Sequence, residues 1–268
     1  MRKFGLLHPI FLSFYSQPLY RDVARNWRGA AFLYLLLLLA LCWLPSMGTM
    51  HARLSKFIDT EAGALVRQVP RVTISDGEVS TDVETPYFIK DPDSGKTLVI
   101  LDLTGQFTSL EGTDAKVLIT RNRIIARKSP QETRIYDLSG IKSFSVDRTR
   151  IAGWLQVAKA WLVPVLFPIL LLFSYVFRLF QAFVYGLIGL IFASLLHVKL
   201  DLLASVRIAI IAITPVLVLD TLRGLAKVHI PWWTLMCFII AMGYLFYGVK
   251  AATAPLPPET PGPLVGRT

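Results

Sequence analysis

The 268-residue sequence predicts an integral membrane protein. The expected fold is an α-helical bundle of about five transmembrane helices. An extracytoplasmic α+β domain, mainly antiparallel β, is inserted between the first and second spans. Three observations carry this. Hydrophobic residues make up 54% of the chain and charged residues 17%, against about 25% charged in ordinary globular domains. The apolar residues gather at 30–47 and across 151–249, while 49–150 has the mixed composition of a water-soluble domain. The charge divides the same way: 49–150 holds 15 Lys/Arg and 14 Asp/Glu, so +9 of the net +10 belongs to the apolar segments and their flanks. Basic residues at span ends anchor and orient membrane helices, whereas a nucleic-acid binder gathers them on one folded face or arm. The lipid bilayer is therefore the expected partner, and nucleic acid is excluded.

Residues 1–29 read as a cytoplasmic, basic, amphipathic segment. The aromatic stretch 4–15 suits a membrane interface. Ser16-Gln17-Pro18 reads as a helix start, with Ser16 capping and Pro18 in the first turn. That helix carries Arg21, Arg25 and Arg28 on one face, and this cluster places the N-terminus in the cytoplasm. Residues 30–48 form the first span, read as an uncleaved signal anchor. A cleaved signal peptide is the rival reading, but the basic region before the apolar run is too long and no small-x-small cleavage site follows.

In 49–150, Leu54, Phe57, Ile58, Ala62, Leu65 and Val66 follow helical spacing, and Pro70 ends the helix. From Arg71 the period becomes two. The runs "RVTIS", "YFIK", "TLVILDL", "AKVLIT", "RIIARK", "TRIYDL" and "SFSV" predict a sheet of six or seven strands. From Ile151 four more spans follow, at 153–177, 180–196, 204–221 and 231–249, with Arg178 in a short turn between the first two. Five crossings put the C-terminus outside; Lys199, Arg207 and Lys250 then also fall outside, against the charge rule. Residues 250–268 are proline-rich and expected to be disordered.

"VILDLTG" and "RIYDLSG" place Asp102 and Asp137 in matching contexts, which raises the question of a carboxylate dyad. Aspartic proteases use Asp-[Thr/Ser]-Gly; here Leu103 and Leu138 intervene, and 35 residues are too few for two lobes. The expected role is structural: each Asp bonds nearby amides in a turn, and Gly105 and Gly140 take positive φ. Ionisable residues near spans are the remaining candidates, because they are costly to bury. Asp201 and Arg207 flank the start of the fourth span, and Asp220 and Arg223 sit at its end at i,i+3 spacing. Lys159 is expected to snorkel, and none of these groups is placed mid-span. Ala182, Gly186, Gly189 and Ala193, and then Ser205, Ala209 and Ala212, form small-residue stripes suited to close helix contact. Cys42 and Cys237 read as buried hydrophobes, and the four scattered histidines lack metal-ligand spacing. No catalytic constellation and no cofactor motif is expected, so the chain is read as non-enzymatic.

The stretches "FYSQPLYRDVARNWRGAAFLYLLLLLAL", "VPRVTISDGEVSTDVETPYFI", "VILDLTG" and "LDLLASVRIAIIAITPVLVL" together resemble the bacterial membrane family "domain of unknown function 1189". The resemblance implies a bacterial inner-membrane location and brings no activity. The expectation is an envelope accessory, sensor or assembly component that presents its β-rich domain outside the membrane. Its partners would be other envelope proteins or copies of itself. The alternative is a transport-related protein with a polar path through the bundle.

Overall fold

The computed structural model describes residues 2–129 and 132–253. The tail at 254–268 lies outside the described residues. The described residues divide into two compact units, one within 1–48 and 166–268, the other within 49–165.

The first unit is helical. Helix α1 (Pro9–Leu12) leads to α2 (Gln17–Asn26), which starts as its sequence suggests: Ser16 Oγ accepts from Leu19 N–H at 3.4 Å, with Pro18 in the first turn. One face of α2 is buried through Leu19, Tyr20, Val23 and Trp27. Arg25 and Arg28 are exposed, while Arg21 Nε donates to Ala251 O at 2.8 Å and ties α2 to the last turn of α7 (Trp233–Thr253). Helix α6 (Leu202–Ala226) is apolar on nearly every side, and residues 204–217 are buried apart from the half-buried Arg207. A helix hydrophobic all round must be enclosed by its neighbours.

Small residues set the helix spacing. A Cβ on Gly186 would lie 2.6 Å from Val206 Cγ2 and 3.1 Å from its Cα; one on Gly189 would lie 2.3 Å from Ser205 Oγ. Ser205 Oγ donates to Gly186 O at 2.7 Å, a buried bond that this approach permits. The predicted stripes therefore meet. Gly186→Ala must push backbone from backbone, which costs about 1–3 kcal/mol for overpacking. Its thermal unfolding midpoint in detergent will fall clearly. Gly243→Ala, which meets nothing within 4 Å, will leave it unchanged or raise it.

Helix α5 (Arg148–Leu195) has no turn at Arg178, against the expectation. Its 48 residues form one unbroken helix where the sequence suggests spans at 153–177 and 180–196. Four helices among the described residues are long and apolar enough to cross a membrane, not five. The segment Arg178-Leu179-Phe180-Gln181 contains no Gly, Pro or Asn to end a helix. Pro164 and Pro168 are absorbed within it, as prolines in apolar helices can be. At 1.5 Å per residue α5 is about 72 Å long, more than twice a hydrocarbon core of about 30 Å. Likewise, α3 (Ala30–Phe57) does not stop at residue 48. It continues through a π-helical turn (Ile58–Ala62) into α4 (Gly63–Gln68). The helix ends at Gln68 because Val69, which precedes Pro70, takes extended backbone.

The second unit holds the sheets, with eight strands among the described residues in place of six or seven. Strands β1 (Val72–Ser75), β2 (Glu78–Thr81) and β8 (Ser143–Val146) form an antiparallel sheet in the order β2-β1-β8. The overlooked strand is β2: "EVST" offers one apolar side chain, and its pairing comes from the Asp76-Gly77 turn, where both residues have positive φ (48° and 84°). The other sheet runs β3 (Tyr87–Lys90), β4 (Thr97–Leu101), β5 (Val117–Ile119), β6 (Arg123–Ser129) and β7 (Glu132–Asp137) in order. Its β4–β5 pair is parallel, so the chain must cross over between them. Leu110 and Ala115 in that crossover cover Ile100, Leu118 and Ile125. Ile74, Val79, Leu101 and Leu138 form a second cluster. Adjacent Ile100 and Leu101 thus bury opposite faces of β4, and the centre of the five-stranded sheet is covered on both sides.

Candidate functional site

The predicted pair Asp220–Arg223 forms near the end of α6, with Nη2 at 3.0 Å and Nε at 3.2 Å from Asp220 Oδ1. One turn of helix makes i,i+3 side chains neighbours, so this contact was readable from spacing. Trp233 Nε1 at the start of α7 donates to the same oxygen at 2.7 Å, and the Arg223 guanidinium lies 5.1 Å from that indole centroid. Arg178 is not in a turn. It is half-buried inside α5 with 17 helical residues after it, and its Nη1 donates to Gln181 Oε1 at 2.6 Å. Gln181 in turn donates to the Tyr185 hydroxyl at 3.0 Å.

Arg178 and Asp220 both line two clefts, of about 340 Å³ and about 290 Å³. The first is walled by Phe177, Tyr185, Trp233 and Phe238; the second carries Ser174 and Thr221 and includes Arg223. Three groups that are separated in sequence therefore converge, and Gln181, Tyr185 and Trp233 join them. Neither amides nor aromatics in an apolar run carry a sequence signal for such a cluster. Cys237 lines the first cleft and Cys42 the second; both are half-buried.

The other candidates do not join. Asp201 caps α6 through Leu203 N–H at 3.0 Å, and Arg207 Nε donates back to Leu203 O at 3.0 Å. Lys159 pairs with Asp59 of the π turn at 2.7 and 2.8 Å.

The two matching aspartates have different roles. Asp102 is fully buried and accepts from Thr104 N–H (2.8 Å), Thr104 Oγ1 (2.6 Å) and Phe107 N–H (2.6 Å), at the start of the β4–β5 crossover. Burial opposes its ionisation, but the bonds from Phe107, Thr104 and Gly105 outweigh that and hold its carboxyl below the usual range. Gly105 has φ 86°, as expected. Asp137 is exposed and accepts from Ser139 N–H at 2.8 Å; bonds from the Ser139 side chain and amide lower its pKa. Gly140 does not take positive φ. The Ile141 N–H closes onto Leu138 O at 2.9 Å, a turn that leaves Gly140 at its third position without left-handed backbone.

Sequence reasoning passed over Asp22, the only acidic residue before Asp59. That isolation among basic residues was the available signal. Asp22 is buried; its Oδ2 accepts from Trp27 Nε1 (2.9 Å), Lys3 N–H (3.0 Å) and Phe4 N–H (3.3 Å), and its Oδ1 from Asn26 at 2.8 Å. Burial opposes ionisation, yet the bonds from Asn26, Trp27 and the two amides hold the carboxyl below its ordinary value.

A family described as "Protein of unknown function (DUF1189)" matches residues 7–249. The chain belongs to the DUF1189 family. No curated protein and no solved structure matches it. The matched part of this DUF1189 protein contains the whole Arg178–Asp220–Arg223 cluster, Asp22 with its partners Asn26 and Trp27, and the eight described strands.

Proposed function

We propose that this DUF1189 protein is a non-enzymatic, multi-pass protein of the bacterial cytoplasmic membrane. In this reading it presents its β-rich unit outside the membrane, as an accessory, sensor or assembly component. The observation that carries it is β7, the edge of the five-stranded sheet, exposed along all six residues with Ile135 at 62% and Tyr136 at 50%. An open edge offers unpaired backbone groups to an added strand from a partner. The two carboxylates in matching motifs, Asp102 and Asp137, are engaged in turns.

Charge supports the orientation. With α5 as one crossing, four spans return the chain to its starting side. Arg21, Arg25, Arg28, Lys199, Arg207 and Lys250 then fall on the cytoplasmic side, leaving Arg223 and Lys227 opposite. Two basic residues then stand against the charge rule, where five crossings leave three. In intact cells, a photo-cross-linking residue at Tyr136 will give a discrete protein adduct, and a cysteine placed at Ser94 will react with a membrane-impermeant maleimide. An unlabelled Ser94 position would overturn the orientation; absence of any adduct from Tyr136 would overturn the presenting role.

A second reading, solute handling by the helical bundle, is favoured by one observation: Arg178 lies within α5 and shares two clefts with Asp220. An arginine held inside an apolar helix is costly unless it serves a site.

A further inference from the structure

We propose that the clefts on either side of Arg178 and Asp220 are a binding site for a compact monoanionic carboxylate with an apolar body. The proposal deepens the second reading above by naming the ligand class, and binding is measured separately from transport.

Charge sets the sign of the ligand. The cluster holds two guanidiniums, Arg178 and Arg223, and one carboxylate, Asp220; every other residue lining the two clefts is uncharged. One positive charge is therefore uncompensated. Arg223 is engaged by Asp220 through two nitrogens and stacks on Trp233. The hydrogen-bond partner of Arg178 is Gln181, a neutral amide, so the surplus charge resides at Arg178. Gln181 is itself held by the Tyr185 hydroxyl, which fixes one side of the guanidinium, and Arg178 lines both clefts.

Geometry and wall chemistry narrow the class. A guanidinium fork matches a planar carboxylate through two parallel bonds. A phosphate monoester carries about −1.5 to −2 charges at neutral pH, more than one surplus cation balances. The larger cleft, about 340 Å³, is walled by Phe177, Tyr185, Trp233 and Phe238 beside Arg178, which suits a flat apolar body attached to the carboxylate. Size and polarity follow the usual plan of small-molecule sites: apolar walls with a few convergent polar groups.

The two cysteines of the chain supply the assay, because Cys237 lines this cleft and Cys42 lines the other. Full-length protein in neutral detergent is alkylated with N-ethylmaleimide and followed by mass, with benzoate, its neutral isostere benzamide, or inorganic phosphate present. Benzoate at ten times its Kd will slow alkylation of Cys237 about tenfold, by simple occupancy. Benzamide and phosphate will leave the rate unchanged. Arg178→Gln will abolish protection, and Arg178→Lys will weaken it, because an ammonium keeps the charge without the fork. Should Arg178→Gln fail to fold, Arg178→Lys and a benzoate-specific rise in the wild-type unfolding midpoint give the same decision. No protection at any soluble concentration, equal protection by benzamide, stronger protection by phosphate, or protection that survives in Arg178→Gln would each overturn the proposal. Benzoate binding without benzoate flux in proteoliposomes would keep the site and remove the transport reading.

Discussion

Asp22→Ala will lower the unfolding free energy of the full-length protein by about 3–5 kcal/mol. The range follows from leaving one buried and three part-buried donors without a charged acceptor, at about 1–3 kcal/mol for the buried one and less for the others. The donors are named by the geometry: Trp27 Nε1, the Lys3 and Phe4 amides, and the Asn26 side chain. Trp27 is itself fully buried, so its indole N–H cannot turn to water. Asp22→Asn will cost about half as much. An amide can keep its oxygen at the position that serves three donors, and Asn26 can flip to present its own oxygen to the new NH₂ group. Thermal unfolding of the three proteins in detergent checks the order wild type, Asn, Ala; an Asp22→Ala protein as stable as wild type would sink the hub assignment. Because folding lowers the Asp22 pKa, its contribution is complete above the unfolded-state value near 4 and is lost as pH falls through the lower folded-state value.

Asp102 and Asp137 will separate by several kcal/mol under the same substitution. Asp102→Ala removes a buried acceptor of three hydrogen bonds and releases the crossover that makes β4 and β5 parallel, with an expected loss of about 3–5 kcal/mol. Arg127 also pins this crossover, through Thr113 O at 3.1 Å and Leu110 O. The burial of Leu110 and Ala115 over the sheet depends on the crossover path, so the loss extends beyond the turn. Asp102→Asn has no easy escape. Its Oδ1 serves Thr104 and its Oδ2 serves Phe107, so an NH₂ group in either place faces an amide donor. Asp137→Ala removes only exposed bonds from Ser139 and will cost less than about 1 kcal/mol. Chemical denaturation checks the contrast, and equal costs for the two alanine variants would refute the assigned roles. The acid limb should differ as well. Both carboxyls have lowered pKa values in the fold, so both contributions fade with acidification below about pH 4, but only Asp102→Ala should visibly flatten that limb.

Much of the architecture was readable because its signals are local. The Ser16 cap needs only a hydroxyl, a proline and a helix within four residues. The small-residue stripes needed only the helical repeat to predict a close approach, and Gly186 and Gly189 meet Val206 and Ser205 accordingly. Strand β2 escaped because its pairing comes from a left-handed turn rather than from apolar alternation. The supposed turn at Arg178 failed for a related reason: apolar length suggested two crossings, while the segment itself contains no helix-ending residue.

Transfer from water to an apolar medium, charge and turn chemistry belong to each residue and its near neighbours. The amino-acid order alone therefore specified a membrane-type helical part, a β-rich insert, the Asp220–Arg223 pair and the turn-forming aspartates. Which distant residues meet depends on how the chain closes on itself. The fold settled that Arg178 joins Gln181, Tyr185 and the Asp220–Trp233 pair around two clefts. It also settled that Asp22 gathers four donors, and that of two matching aspartates one is buried beneath a crossover and the other faces solvent. Burial and hydrogen-bond partnership arise from contacts far apart in sequence, and identical local motifs acquire different energies from them.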